Sequence, residues 1–256
     1  LWHGAGAFKR FGLSTETDPK VAEVVRSANR KITHLFVTSQ AVKPFYEEAF
    51  AVPPERIYPT GIPVTDIYFD EERICQRKSS FYQKYPELAS KKILLYAPTF
   101  RRTDEENRQI MDRFDAERIH QILGDEWVIL IRMHPKFPVE NLPQNKYCYN
   151  MTDYNDITDL YLVSDLFITD YSSSVVEYAL LDKPILLFAY DLAEYDRGFY
   201  FDYENMMPGQ IAHTQTELYE LLQNNCDNLP KRQNFVKFQY DNMKGDACGR
   251  ILDILG

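Results

Sequence analysis

An apolar run ending in Ile168 passes into the turn Thr169-Asp170-Tyr171-Ser172-Ser173-Ser174, and a helix is expected over 175–181. The chemistry this permits is anion binding. The first N–H groups of a helix lack intrahelical partners and, with the helix dipole, favour an anion such as a nucleotide diphosphate. The serine hydroxyls add donors. A second reading stays open, because Ser174-x-x-Glu177 has the spacing of a capping box, which satisfies the helix terminus and binds nothing. Arg132 and His134 stand two residues apart at the end of another apolar run, so both side chains project to one side of an extended backbone. Guanidinium and imidazole donors there suit a pyrophosphate and the charge growing on a leaving phosphate. His3 stands before the small-residue stretch Gly4-Ala5-Gly6-Ala7. Its unperturbed pKa near neutrality suits a general base, although a histidine beside Trp2 equally fits a packed structural role.

These residues need a frame that gathers strand ends. Apolar runs at 33–39, 92–100, 127–135, 165–168 and 184–190 alternate with helical stretches at 41–50, 71–85, 112–123, 157–163 and 175–181. Nearly continuous apolar strands alternating with helices indicate a doubly wound parallel α/β sheet, whose ligands lie outside the carboxyl ends of the strands. The residues just after each strand are then Thr99, Arg101 and Arg102; Arg132 and His134; 169–174; and 191–197, which includes Arg197. Several strand ends carrying Arg, His and Ser at one sheet edge favour a binding site over a lone cap. The Pro- and Gly-rich stretch 59–63 marks a boundary between a partial N-terminal domain, 1–62, and a second domain, 63–256.

Composition narrows the partners. The 256 residues are 45% hydrophobic and 26% charged, ordinary for a globular chain, and the formal charge of −9 argues against a binder of nucleic acid that works by broad phosphate neutralisation. Cys75, Cys148, Cys226 and Cys248 form neither a CxxC pair nor a metal-ligand cluster with histidine, which fits a reducing cytosol. No acidic pair stands at a strand end; Asp191, Asp196 and Asp202 read as solvated loop charges, so no metal and no other cofactor is expected. No apolar run approaches 18 residues. The chain opens on Leu1, and Leu1-Trp2-His3-Gly4 reads as a strand end entering a loop, so a piece of a longer protein is expected.

Taken in order, Trp2-His3-Gly4, Lys9-Arg10, Gly61-Ile62-Pro63-Val64-Thr65-Asp66, Tyr96-Ala97-Pro98-Thr99-Phe100-Arg101, Arg132-Met133-His134-Pro135, Thr169-Asp170-Tyr171-Ser172-Ser173, Arg197-Gly198-Phe199-Tyr200 and Lys244-Gly245-Asp246-Ala247 resemble the CDP-glycerol glycerophosphotransferase family of teichoic-acid primases and polymerases. The resemblance implies a GT-B architecture of two Rossmann-like domains, the C-terminal one holding the nucleotide. It implies attack by a hydroxyl of a lipid-linked wall or capsule polymer on the distal phosphorus of CDP-glycerol, with release of CMP. On that reading His3 is the catalytic base and His134 a second essential histidine. Arg132, Thr169, Asp170 and Ser172 to Ser174 meet the donor, Glu177 holds the ribose, and Arg101 and Arg197 are further candidates for phosphate or acceptor contacts. The whole enzyme would sit as a peripheral protein on the cytoplasmic face of the bacterial membrane. A GT-B glycosyltransferase using a nucleotide sugar, and a nucleotide-binding fragment without turnover, are the alternatives.

Overall fold

A computed structural model describes residues 5–134, 142–195, 197–224 and 227–256. From the amino end run α1 (Pro19–Asn29), β1 (Leu35–Val37), α2 (Lys43–Phe50), β2 (Ile57–Pro59) and α3 (Glu71–Lys84). Next come β3 (Lys92–Tyr96), α4 (Asp104–Arg113), α5 (Ala116–Leu123), β4 (Trp127–Ile131), β5 (Cys148–Asn150), α6 (Ile157–Val163), β6 (Leu166–Thr169), α7 (Ser174–Tyr178) and β7 (Ile185–Phe188). The chain closes with α8 (Tyr203–Met206), β8 (Gln210–Ala212), α9 (Gln215–Gln223), α10 (Leu229–Tyr240) and α11 (Ala247–Leu255). It divides into two compact units, one of residues 1–71, 194–207 and 230–256, the other of 72–193 and 208–229.

The second unit is the expected doubly wound sheet. Six parallel strands lie in the order β5-β4-β3-β6-β7-β8. The order reverses between β3 and β6, and at such a switch point the loops leaving two neighbouring strands turn to opposite faces and open a crevice at their carboxyl ends. The strands read as unbroken apolar runs because helices cover both faces: Ile93, Leu94, Leu95, Ile129, Leu130, Phe167, Ile168, Leu186 and Leu187 are all buried. Each such side chain contributes about 1.5–3 kcal/mol by leaving water. The ladder ends at Tyr96, since Pro98 has no N–H to continue it, and Ala97 N–H donates the last bond to the Ile168 carbonyl at 3.1 Å.

Two details differ from expectation. The helix expected over 112–123 is a pair, α4 and α5, divided at Phe114 and Asp115. Thr103 and Glu106 form a reciprocal capping box that starts α4, and the Asp115 carboxylate accepts from Arg118 N–H to start α5. The three-residue edge strands β5 and β8 have no counterpart in the expected pattern, being too short and too polar to show an apolar run.

The first unit holds the parallel pair β1–β2, with Val37, Val42, Tyr46, Val52 and Ile57 in its core. Its boundary is not at 62/63, because the chain returns to it twice. Gln239 mimics a strand partner, accepting from Ala7 N–H at 2.9 Å and donating to the Ala7 carbonyl at 2.8 Å. Asp66 accepts from the Ala247 and Cys248 amides at the start of α11, and Arg250 Nε donates to the Thr60 carbonyl. Lys9 bridges Phe199 in antiparallel fashion, which recruits 194–207. These are contacts across some 180 to 230 residues of chain, and a Pro/Gly punctuation signal carries no information about them.

Candidate functional site

The switch point is laced by one buried ionic network. Asp170, just after β6, accepts from Thr99 N–H on the β3 side at 2.8 Å and from its neighbour Tyr171 N–H. Its other oxygen accepts from Arg101 Nη2 at 2.9 Å. Arg101 also donates from Nε and Nη2 to the two oxygens of Asp191, after β7, at 2.6 and 3.0 Å, and from Nη1 to the Thr99 carbonyl. Tyr171 donates its hydroxyl to Asp191 at 2.9 Å. The guanidinium lies 5.3 Å from the Tyr171 ring centroid and 5.6 Å from that of Tyr190. Burial opposes the Arg101 charge, but Asp170 and Asp191 outweigh it and raise its pKa. Arg101 and Asp170, both expected to meet substrate, thus meet each other. Asp191, expected to be a solvated loop charge, is the second carboxylate of the network.

Beyond Asp170 the chain enters the serine turn. Thr169 is fully buried and donates its hydroxyl to the Ala97 carbonyl at 2.8 Å, so it fastens β6 to β3. Ser172 donates to the Ser174 hydroxyl at 2.9 Å and accepts from Ser174 N–H at 3.3 Å. Tyr161 on α6, buried beneath this turn, is hydrogen-bonded to Ser174; burial first and then the charge of Glu177 raise its pKa. The Ser174/Glu177 capping box is not what forms: Ser173 takes the N-cap position, exposed and without a side-chain cap bond. Glu177 lies half-buried within the short α7.

Arg132 follows β4, and its N–H donates to the Tyr96 carbonyl at 2.9 Å, which sets it beside the switch point. Its Nη1 donates to the carbonyls of Met151 and Tyr154. Among the described residues no carboxylate forms an ion pair with it, and burial lowers its pKa. Asp156 and Asp153 oppose that burial only in part and without contact, and a half-buried cation held by carbonyl dipoles is a place where an anion gains. The turn that holds it is itself clamped, since Tyr154 donates to Asp159 at 3.1 Å and Arg77 on α3 pairs with both Asp156 and Asp159. His134 is half-buried, its ring 4.7 Å from that of Phe100 and tilted by 58°.

Not every expected residue belongs to this edge. Arg197 is exposed and belongs to the other unit. His3 and Asp196 lie outside the described residues. Asp202 is exposed and caps α8 through Asn205 N–H. Among the described residues no group of three or more His, Cys, Asp or Glu is arranged to hold a metal ion, and no helix is long and apolar enough to cross a membrane.

The family model for CDP-Glycerol:Poly(glycerophosphate) glycerophosphotransferase matches residues 1–255. The chain belongs to this family. It is 35% identical over 259 residues to the teichoic acid poly(ribitol-phosphate) polymerase of Bacillus spizizenii, covering 99% of this chain and 42% of that protein. It is 35% identical over 261 residues to the ribitol-phosphate polymerase TarL of Staphylococcus aureus, covering 98% and 46%. A glycerol-phosphate primase of Bacillus subtilis is 31% identical over 234 residues, covering 87% and 58%. The chain therefore spans about half the length of the ribitol-phosphate polymerases it matches. The wall teichoic acid polymerase TagF superposes with a TM-score of 0.81 at 26% identity, over 99% of this chain and 65% of that one. A TagF variant soaked with CDPG superposes at 0.79, with 26% identity, 99% of this chain and 66% of that one covered. The glycerophosphotransferase family is thus one of teichoic-acid polyol-phosphate transferases on an α/β fold of GT-B type.

Residue-by-residue reading missed the roles of Asp191, Tyr171, Asn107 and Tyr161. Asn107 accepts from Arg101 N–H at 2.8 Å and donates to the Arg101 carbonyl at 3.0 Å, locking that backbone. A signal existed for Asp191 alone, an acid at a strand end in a set of strand ends already rich in arginine.

Proposed function

We propose that the whole protein transfers a polyol phosphate from a CDP-polyol, CDP-glycerol in the first place, to a hydroxyl of a lipid-linked wall polymer at the cytoplasmic face of the membrane. The observation that carries this is the family match across residues 1–255. The charge pattern of the switch point supports it, since Arg132 is a half-buried cation there that no described carboxylate contacts, with Asp156 and Asp153 only partly offsetting its burial. In the reaction the acceptor oxygen attacks the distal phosphorus, the O–P bond forms, the bond to CMP breaks and CMP departs. His3 takes the proton from the attacking hydroxyl, while Arg132 and His134 stabilise charge on the phosphates, with Ser172 to Ser174 orienting them. Positioning and electrostatics do most of the work in phosphoryl transfer of this kind.

A second polyol has a specific observation in its favour. The ribitol-phosphate polymerases are 35% identical to this chain and the glycerol-phosphate primase 31%, so CDP-ribitol is the alternative donor. Calorimetric titration with CDP-glycerol, CDP-ribitol, UDP-glucose and CMP separates the readings. Selective binding of one CDP-polyol supports the phosphotransferase and names its donor. Preference for UDP-glucose overturns it in favour of a glycosyltransferase, and binding of CMP alone leaves a nucleotide-binding fragment.

A further inference from the structure

Arg101 looks from its sequence position like a phosphate contact, yet its guanidinium is spent on the protein. Of the five N–H donors an arginine carries, four go to Asp191, Asp170 and the Thr99 carbonyl. The acceptors come from three different strand ends, those of β3, β6 and β7. Asp170 in turn fixes two backbone amides, Thr99 on one side of the switch point and Tyr171 on the other. Asp191 is held a second time, by the Tyr171 hydroxyl. The consequence is mechanical: the 97–101 segment, the start of the serine turn and the end of β7 cannot shift independently. Buried charges in a network of this kind cost desolvation, and replacing one partner leaves the others uncompensated, so such networks specify geometry more than they add stability.

The geometry points to Arg101, Asp170 and Asp191 as positioning residues that set the serine turn for the donor diphosphate without touching it. This rests on the CDP-polyol reading above and extends it. It reassigns two residues that sequence position would place on the substrate and adds a third. On this reading the triad acts on the donor through the phosphates that the serine turn receives.

The test compares the chain with Asp191→Asn and with Tyr171→Phe, the latter removing one hydroxyl from the same network while keeping the ring. Affinities for the CDP-polyol and for cytidine are measured calorimetrically, and thermal midpoints are recorded alongside. Asp191→Asn is expected to weaken the CDP-polyol about tenfold, about 1.4 kcal/mol, and Tyr171→Phe about threefold, with cytidine affinity unchanged in both. Asp191→Glu, which keeps the charge, recovers most of the loss. Equal losses for both ligands, or no loss for either, overturn the proposal. Amide exchange at Thr99 and Tyr171 is followed in parallel. If the parent chain binds no CDP-polyol, the functional reading falls, and exchange decides the positioning claim: faster exchange at both amides in Asp191→Asn upholds it, unchanged exchange sinks it.

Discussion

Lys183 gives a stability prediction whose sign and size follow from its surroundings. It precedes β7, at the edge of the sheet opposite the switch point, and its Nζ donates to the carbonyls of Leu162 and Ser164 at the end of α6, at 2.8 and 2.5 Å. Burial, with repulsion from Lys78, lowers its pKa from 10.5 to about 8, against a smaller opposing pull from Asp165. Folding therefore sheds a proton that the unfolded chain keeps between pH 8 and 10.5. Where the unfolded state binds more protons, stability rises with pH. The penalty of burying the charge is present below pH 8 and disappears as the pH passes the unfolded value. Between pH 7 and 10 the relief is about 2.5 kcal/mol. Cys148 and Tyr154, both pushed up to about 12 chiefly by burial, act in the opposite direction at high pH, so the quantity to measure is a difference. Urea unfolding of the chain and of Lys183→Met is followed from pH 7 to 10, both carrying Trp2→Phe so that Trp127, in the same unit as Lys183, reports. The variant loses stability at all pH values because three carbonyls, of Tyr161, Leu162 and Ser164, lose their donor, and the gap between the curves widens with pH by about 2.5 kcal/mol. A gap constant to within about 0.5 kcal/mol would show that the carbonyls offset the burial and that Lys183 stays charged.

Three further outcomes follow. Arg132→Ala should weaken CDP-polyol binding about tenfold to a hundredfold, the worth of a charge-assisted phosphate contact, while cytidine affinity stays level; equal loss for both would move Arg132 off the phosphates. His3→Ala should abolish transfer in the whole protein and leave donor affinity within about threefold, because a base acts on the acceptor; kinetics and calorimetry on one preparation check both. Gly209→Ala should cost about 2–3 kcal/mol in urea unfolding, since a Cβ there would lie 2.3 Å from the Ile185 carbonyl oxygen, a backbone atom that cannot step aside without disturbing β7. A loss below about 0.5 kcal/mol would mean that β7 and β8 separate more easily than their pairing implies.

The sheet was legible because buried parallel strands leave a strong mark. The run 92–100 contains β3, 127–135 contains β4, and 157–163 coincides with α6, since each strand must be apolar on both faces and each helix periodic on one. Edge strands carry no such mark: Cys148-Tyr149-Asn150 and Gln210-Ile211-Ala212 pair through their backbones on one side only, so side-chain type scarcely matters there. The returns of 194–207 and 230–256 to the first unit were invisible for another reason. They rest on single side chains meeting distant backbone, Gln239 on Ala7 and Asp66 on Ala247, and no local pattern encodes a partner so far away.

Within the site the limit of sequence reading is sharper, because an arginine at a strand end near a phosphate site has two uses that look identical in the chain. What separates them is the count of carboxylates each one meets. Arg101 faces two, Asp170 and Asp191, and with them the cluster carries more negative than positive charge, which gives a phosphate no reason to approach it. Arg132 contacts carbonyls, whose dipoles hold its position, and meets Asp156 and Asp153 only at a distance, which leaves its charge incompletely offset. Part of the cost of keeping that guanidinium half-buried is therefore left for a ligand to relieve. The two arginines thus divide the work, one setting the frame and the other left to attract the anion. Exchanging their surroundings should exchange their roles: placing a carboxylate beside Arg132, as in Thr152→Asp, whose hydroxyl accepts from the Met133 amide nearby, should depress CDP-polyol affinity as strongly as removing Arg132 itself. Retained affinity in that variant, measured by the same calorimetry, would show that the field at the switch point comes from some other group.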